Sequence, residues 1–285
     1  VSGGKAGQVV RTGGFMKDIK VFGLTDVGMV RPHNEDHYLL KIYDDMVVAA
    51  VADGMGGAAY GEVASRITVE TVEDLFEKNR SSMAVEILVR EALLRSHQKI
   101  REEGKLLHGN MSMGTTCTLV AVARKKSKAP KRPPLLAYMG HIGDSRFYLI
   151  HKDEIQQKST DHTMVQKLLE AGALKPDEAS RFVHKGIIYK SLGGSETLKM
   201  DSVETFSLKK GNILLLCSDG FSNYIRPADM VMSLQAKPDL EQAAHYMVEL
   251  AKYRGGDDNI TVVLVEYGLY PRKKDIELEE IPGPV

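Results

Sequence analysis

The 285-residue sequence carries no surplus of charge, with 38 Lys and Arg set against 38 Asp and Glu. A chain without a positive excess is a poor candidate for nucleic-acid binding across its whole surface. It has little cysteine. Cys117 and Cys217 stand far apart, each inside an apolar run. That excludes a disulfide scaffold or a cysteine-ligated zinc site, and both read as buried thiols in a reducing compartment. No apolar run approaches the roughly 18 residues of a membrane span, and no secretory signal opens the chain. HExxH and GxxxxGK[ST] are both missing, which removes support for zinc proteases and P-loop NTPases. What remains is ordinary globular composition, 43% hydrophobic and 27% charged. The expectation is a cytoplasmic, soluble, monomeric protein of one large domain or two small ones.

The first fifteen residues hold five glycines and no periodicity. Residues 1–15 read as a flexible leader or a cloning scar, with Met16 a candidate native start. Residues 16–268 read as the domain, and 269–285 as a flexible charged tail. Strand-like runs begin at Lys20, His37, Met46, Cys117, Leu136, Arg146, Ile213 and Ile260. All are short, most are rich in β-branched residues, and Gly, Asp or Asn bounds them. Helical spacing joins Val63, Ile67, Thr71 and Leu75, then Ala84, Ile87 and Leu88. It is clearest in Leu240, Ala243, Ala244, Met247, Leu250 and Ala251. Glu170 and Lys175 flank a shorter helix that Gly172 caps. Strict strand–helix alternation is missing, so the reading is an α+β layered domain with mostly antiparallel sheets and helices outside. The run from Arg124 to Pro134 holds six basic residues and reads as a solvated connection, with an anionic docking site as the alternative.

Two apolar runs end alike. VVAAVA leads into Asp53–Gly54, and ILLLCS leads into Asp219–Gly220. A hairpin turn would account for each Asp-Gly pair. Three further acidic clusters favour a different role: Asn34 to Asp36, Gly143 to Arg146, and Gly255 to Asn259. Carboxylates that converge at strand ends repel and lose hydration, and bound cations remove the penalty. All-oxygen ligands suit Mg²⁺ or Mn²⁺. Glycine after the aspartate lets its carbonyl approach a metal. Two metals on carboxylates mainly serve phosphoryl chemistry by making a hydroxide and neutralising phosphate oxygens. Arg31, five residues before Asp36, can grip a phosphate with both prongs.

Seven segments, in order, resemble the bacterial form of the metal-dependent Ser/Thr protein phosphatases of type 2C. They are TDVGMVRPHNED (Thr25–Asp36), ADGMGG (Ala52–Gly57), GTTCT (Gly114–Thr118), GHIGDSR (Gly140–Arg146), TDHT (Thr160–Thr163), CSDGFS (Cys217–Ser222) and GGDDNIT (Gly255–Thr261). The resemblance implies a four-layer sandwich of two mostly antiparallel β-sheets flanked by α-helices. It implies that Asp53 bridges two metals, that Asp219 and Asp258 hold the first, and that the Gly54 carbonyl holds the second. Glu35 and Asp36 would hold the second metal or its waters, and Arg31 the substrate phosphate. Asp144, with Asp219, matches a third, weaker site, and residues 163–198 match a mobile flap. Met55 stands where animal members carry His, so the leaving-group acid is open, with His33, His141 and His162 as candidates. Asp257 adjoins a predicted ligand without being chosen. The implied activity is hydrolysis of phosphoserine and phosphothreonine in proteins by a metal-activated hydroxide. Implied partners are phosphorylated proteins and, by analogy, a Ser/Thr protein kinase with its substrates. The alternatives are an inactive phosphatase-like scaffold and a relative dedicated to one regulatory phosphoprotein.

Overall fold

The run from Met46 to Ala52 is buried on both faces, and its alternation explains the layering. Val47, Ala49 and Val51 pack with Leu214, Leu216, Val263 and Val265, while Val48, Ala50 and Ala52 pack with Val72, Leu75, Phe76 and Leu88. One face therefore meets a second sheet and the other meets helices. The structure is a computed structural model that describes residues 18–55, 60–106, 113–124, 133–175, 178, 182, 186–273 and 276–281. In chain order its elements are β1 (Ile19–Asp26), β2 (Asp36–Ile42), β3 (Met46–Met55), α1 (Tyr60–Asn79), α2 (Val85–Leu106), β4 (Gly114–Thr115), β5 (Cys117–Arg124) and β6 (Leu135–Ile142). Then follow β7 (Arg146–His151), β8 (Glu154–Gln157), α3 (Met164–Glu170), β9 (Glu204–Leu208), β10 (Asn212–Cys217), α4 (Asp219–Ser222), α5 (Pro227–Ala236), α6 (Leu240–Tyr253) and β11 (Ile260–Tyr267).

One sheet has the order β1-β11-β10-β7-β8. The other has β2-β3-β5-β6-β9, with β4 paired to β3. The described pairings are antiparallel. Helices α1 and α2 cover the second sheet, and α5 and α6 cover the first. The expected four-layer α+β sandwich is the fold. Burying each large apolar side chain in these three interfaces contributes roughly 1.5–3 kcal/mol. Phe147, fully buried, marks the sheet-to-sheet layer.

The helical stripe of α6 is buried as its spacing predicts, and Asp239 caps it by accepting from the Gln242 amide at 2.8 Å. In α2 the stripe runs through Leu88, Ala92 and Ile100, whereas Ile87 lies half exposed. Helix α3 ends at Glu170 instead of starting there. Gly172, in left-handed conformation at φ +67°, closes it, with the Ala173 amide donating to the Leu168 carbonyl at 2.9 Å. The tail is shorter than the sequence suggests. Tyr270 is buried against the α5–α6 core, Ile281 packs beside it, and Glu279 pairs with Arg254 at 2.6 Å. The ordered domain thus runs past 268. Cys117 and Cys217 are buried thiols, pushed up to about 12 by burial. The leader 1–15 and residues 125–132 of the basic stretch lie outside the described residues. No helix among the described residues is long and apolar enough to cross a membrane.

Candidate active site

Two of the four places where the chain crosses between sheets deliver site residues to one edge of the sandwich. The β1–β2 crossing carries Arg31, Glu35 and Asp36, and the β6–β7 crossing carries Asp144. Asp53 comes from the end of β3. Asp219 opens α4 after β10, and Asp258 precedes β11. A cleft of about 490 Å³ results, lined by Arg31, His33, Glu35, Asp53, Gly54, Met55, Asp144, Asp219, Asp258 and Asn259, with Gly186 and Ile188 opposite. Seven of the eight residues singled out in the sequence line it. The eighth, Asp36, does not reach the open cleft. It is buried in cross-strand register with Asp53 and lies behind it.

Neither Asp-Gly pair is a hairpin turn. Gly54 lies inside β3, where a Cβ would run into the Gly61 backbone and the Glu35 carbonyl. Gly220 lies in α4, where a Cβ would run into the Asn259 carbonyl. Glycine here permits close approach of backbones, which brings the two aspartates to one cleft.

Asn259 organises the acidic loops. Its amide nitrogen donates to the carbonyls of Val27 and His33 at 2.9 Å each, and its oxygen accepts from the Glu35 amide at 2.8 Å. Thr261 donates to Asp36 Oδ2 at 2.6 Å, while Asp36 Oδ1 is buried without a partner among the described residues. Asn259 and Thr261 fall inside a motif already quoted, but only its aspartate stands out by chemistry. Asp257 is not among the residues lining the cleft and touches Tyr224.

The electrostatics are those of crowded acids. Burial raises Asp36 to about 8, against hydrogen bonds from Thr261 and Ser218, and Asp219 and Asp258 add to the rise. Burial raises Asp53 strongly, helped by the charges of Asp36, Asp219, Asp144 and Asp258. Asp219 is raised by burial and by Asp258, although it contacts Asp53. Asp144 rises to about 7 through burial, then Asp219 and Asp161, with Arg146 opposing. Burial also raises Glu35. Such a site binds protons or cations, and an all-carboxylate set with an orphaned buried oxygen fits a hard divalent ion. Among the described residues no three His, Cys, Asp or Glu side chains enclose an ion by themselves. Water and backbone oxygen would complete the shell, as is usual for Mg²⁺.

Arg31 is half exposed and its Nη2 donates to Asp258 Oδ2 at 2.9 Å. The three histidine candidates separate. His33 lines the cleft and is exposed. His141 is buried against Thr118 and the Thr160 carbonyl, and His162 accepts from the Gly143 amide.

Comparison with known proteins agrees with this geometry. A family model described as protein phosphatase 2C matches residues 31–264. The serine/threonine phosphatase stp of Listeria innocua is 32% identical over 255 residues, covering 88% of this chain and 97% of the relative. The solved structure of the Mycobacterium tuberculosis serine/threonine phosphatase PstP/Ppp superposes with a TM-score of 0.75 at 30% identity, covering 88% of this chain and 99% of that one. A structure of the PstP catalytic domain in complex with two manganese ions gives 0.71 at 30% identity, covering 87% and 97%.

Proposed function

This chain belongs to the protein phosphatase 2C family and is a metal-dependent serine/threonine phosphatase; we propose that Arg31, Glu35, Asp36, Asp53, Gly54, Asp144, Asp219 and Asp258 divide its chemistry among them. The observation that carries this reading is the convergence of four aspartates, one arginine and Glu35 on a single cleft. Bound Mn²⁺ or Mg²⁺ supplies a nucleophile of lowered pKa and neutralises charge on phosphoryl oxygens.

Asp53 would serve both ions, and Asp219 and Asp258 would hold the first of them. The Gly54 carbonyl and Glu35 serve the neighbouring ion. Asp36 orients a water from behind through its unpartnered oxygen. Asp144 holds a third, weaker ion together with Asp219. Arg31 releases Asp258 and grips two phosphate oxygens of the substrate. Those contacts hold the phosphorus in line for attack and keep the serine or threonine oxygen as the leaving group.

Phosphorylated proteins are the substrates of this chemistry, and a Ser/Thr kinase sharing those substrates is the natural counterpart. We take the enzyme to act as a monomer in the cytoplasm. Phosphate release from a phosphothreonine peptide tests the assignment. It should vanish with EDTA and return with Mn²⁺, and full turnover by metal-stripped protein would overturn it.

A further inference from the structure

Behind the Asp144 turn lies a second cavity of about 250 Å³, lined by His141, His162, Tyr189 and Asp201 among others. His162 stands between this cavity and the cleft. Both polar backbone groups of Gly143 are held by this one residue. The Gly143 amide donates to His162 Nδ1 at 2.9 Å, and the His162 amide donates to the Gly143 carbonyl at 2.7 Å. Gly143 has φ +104°, and on its other side a Cβ would strike the Thr116 side chain. The turn that presents Asp144 is clamped between Thr116 and His162.

The other edge of the ring faces residues 189–201. Because Nδ1 accepts from Gly143, the ring proton sits on Nε2 and donates to Asp201 Oδ2 at 3.0 Å. The same oxygen accepts from Lys190 at 2.6 Å. The Tyr189 amide donates to the His162 carbonyl at 2.9 Å, and the Tyr189 ring meets the imidazole edge-on, 5.7 Å between centroids. His141 stacks on the remaining face at 4.9 Å. Asp161, the preceding residue, is fixed by Arg146 through a two-pronged ion pair.

We propose that His162 is a positioning residue for Asp144, coupling the conformation of the Tyr189–Lys190–Asp201 segment to the geometry of the third-ion site. The inference rests on the reading of Asp144 as a metal ligand. His162 takes no part in proton transfer to substrate. Through Gly143 it sets where Asp144 points, and through Asp201 it is itself held by the segment.

Asparagine and glutamine separate the two edges of the ring. In His162→Asn the side-chain oxygen replaces Nδ1, so the Gly143 amide keeps its acceptor. In His162→Gln the amide reaches toward Asp201 and leaves the Gly143 amide without one. Mn²⁺ titration of the metal-free proteins by calorimetry should show near-wild-type affinity for the weakest ion in the Asn variant. The Gln variant should lose about tenfold, the scale of a supporting contact to a metal ligand. The Mn²⁺ concentration for half-maximal turnover should rise by the same factor in the Gln variant. Equal losses in both variants, tracking their melting temperatures, would make His162 a packing residue only and overturn the proposal. Asp144→Asn is the control. If it removes the weak ion while His162→Gln binds like wild type, the coupling is wrong. If Asp144→Asn binds every ion normally, the ligand reading of Asp144 fails and the coupling falls with it.

Discussion

Asp36 and Asp53 are register partners on adjacent antiparallel strands, so a buried and a half-buried carboxylate face the same side of the sheet directly opposite each other. Like charges so placed destabilise a sheet. The metal-free fold tolerates them by keeping protons on the site, and burial raises both groups. Asp53→Asn removes one charge and keeps the size. The metal-free variant should melt higher than the metal-free parent, with Mn²⁺ stabilisation largely lost and kcat down by about a hundredfold or more. A lower melting temperature without metal, with kcat retained, would show that Asp53 is not the shared carboxylate.

The raised acids set a pH dependence with a definite sign. Asp36 at about 8 and Asp144 at about 7 hold protons in the folded state that an unfolded carboxylate, near 3.9, has released. The folded form therefore binds more protons between about pH 4 and 8, and the stability of metal-free protein falls as pH rises through that window. Mn²⁺ must displace those protons, so its affinity should rise with pH. Melting curves at pH 5 and pH 8, in EDTA and in Mn²⁺, give the first check. Calorimetry in two buffers of different ionisation enthalpy gives the second. A metal-free protein that gains stability toward pH 8 contradicts the argument.

Arg31→Lys should be costly although it keeps the charge. Arg31 reaches Asp258 at 2.9 Å with one prong and leaves its fork facing the cleft. A point charge cannot grip two phosphate oxygens. Loss of one charge-assisted hydrogen bond, about 1.5–3 kcal/mol, lowers kcat/KM by roughly tenfold to a hundredfold. An unchanged value with a phosphothreonine peptide would return Arg31 to the role of a surface charge.

His33 is the candidate acid that the geometry leaves. It lines the cleft, while His141 and His162 are turned into the second cavity. A group that protonates the leaving oxygen matters when that oxygen is a poor leaving group. His33→Gln should slow a phosphothreonine peptide by about a hundredfold, within the usual range for general acid catalysis. It should leave p-nitrophenyl phosphate, whose leaving group needs no proton, nearly unaltered. Equal slowing of both substrates argues against His33 as the acid.

Much of the site was legible because its chemistry-bearing residues sit in runs whose composition suits few roles. An apolar strand ending in Asp53–Gly54 or Asp219–Gly220 announces a buried carboxylate, and order along the chain supplied the rest. The burial of Asp36 was not legible, since it depends on the partner strand and on Thr261, 225 residues away. Asn259 likewise acts through three contacts to distant backbone, which no local pattern encodes. Strand β8 has one apolar residue in four and β9 lies half exposed at a sheet edge, so neither alternates clearly. Helix α5 is short, and Met230, Val231 and Leu234 make too brief a stripe to declare a period. Among the described residues beyond β11 only Tyr270 is fully buried, and one tyrosine in a charged stretch reads as surface.

The faces of the two sheets meet mainly through apolar side chains, with hydrogen bonds such as Thr261 to Asp36 and the Tyr38 hydroxyl to the Gly23 carbonyl crossing the seam. Asp53 belongs to one sheet and Asp219 follows a strand of the other. Ions held by these two carboxylates, as proposed above, would act as rivets through the seam. A route of unfolding that begins by sliding the sheets apart would then have to strip the ions from one side. On that assignment bound Mn²⁺ or Mg²⁺ should slow unfolding as well as support turnover. Persistence of the folded enzyme would thereby depend on the supply of divalent cation, in addition to its turnover.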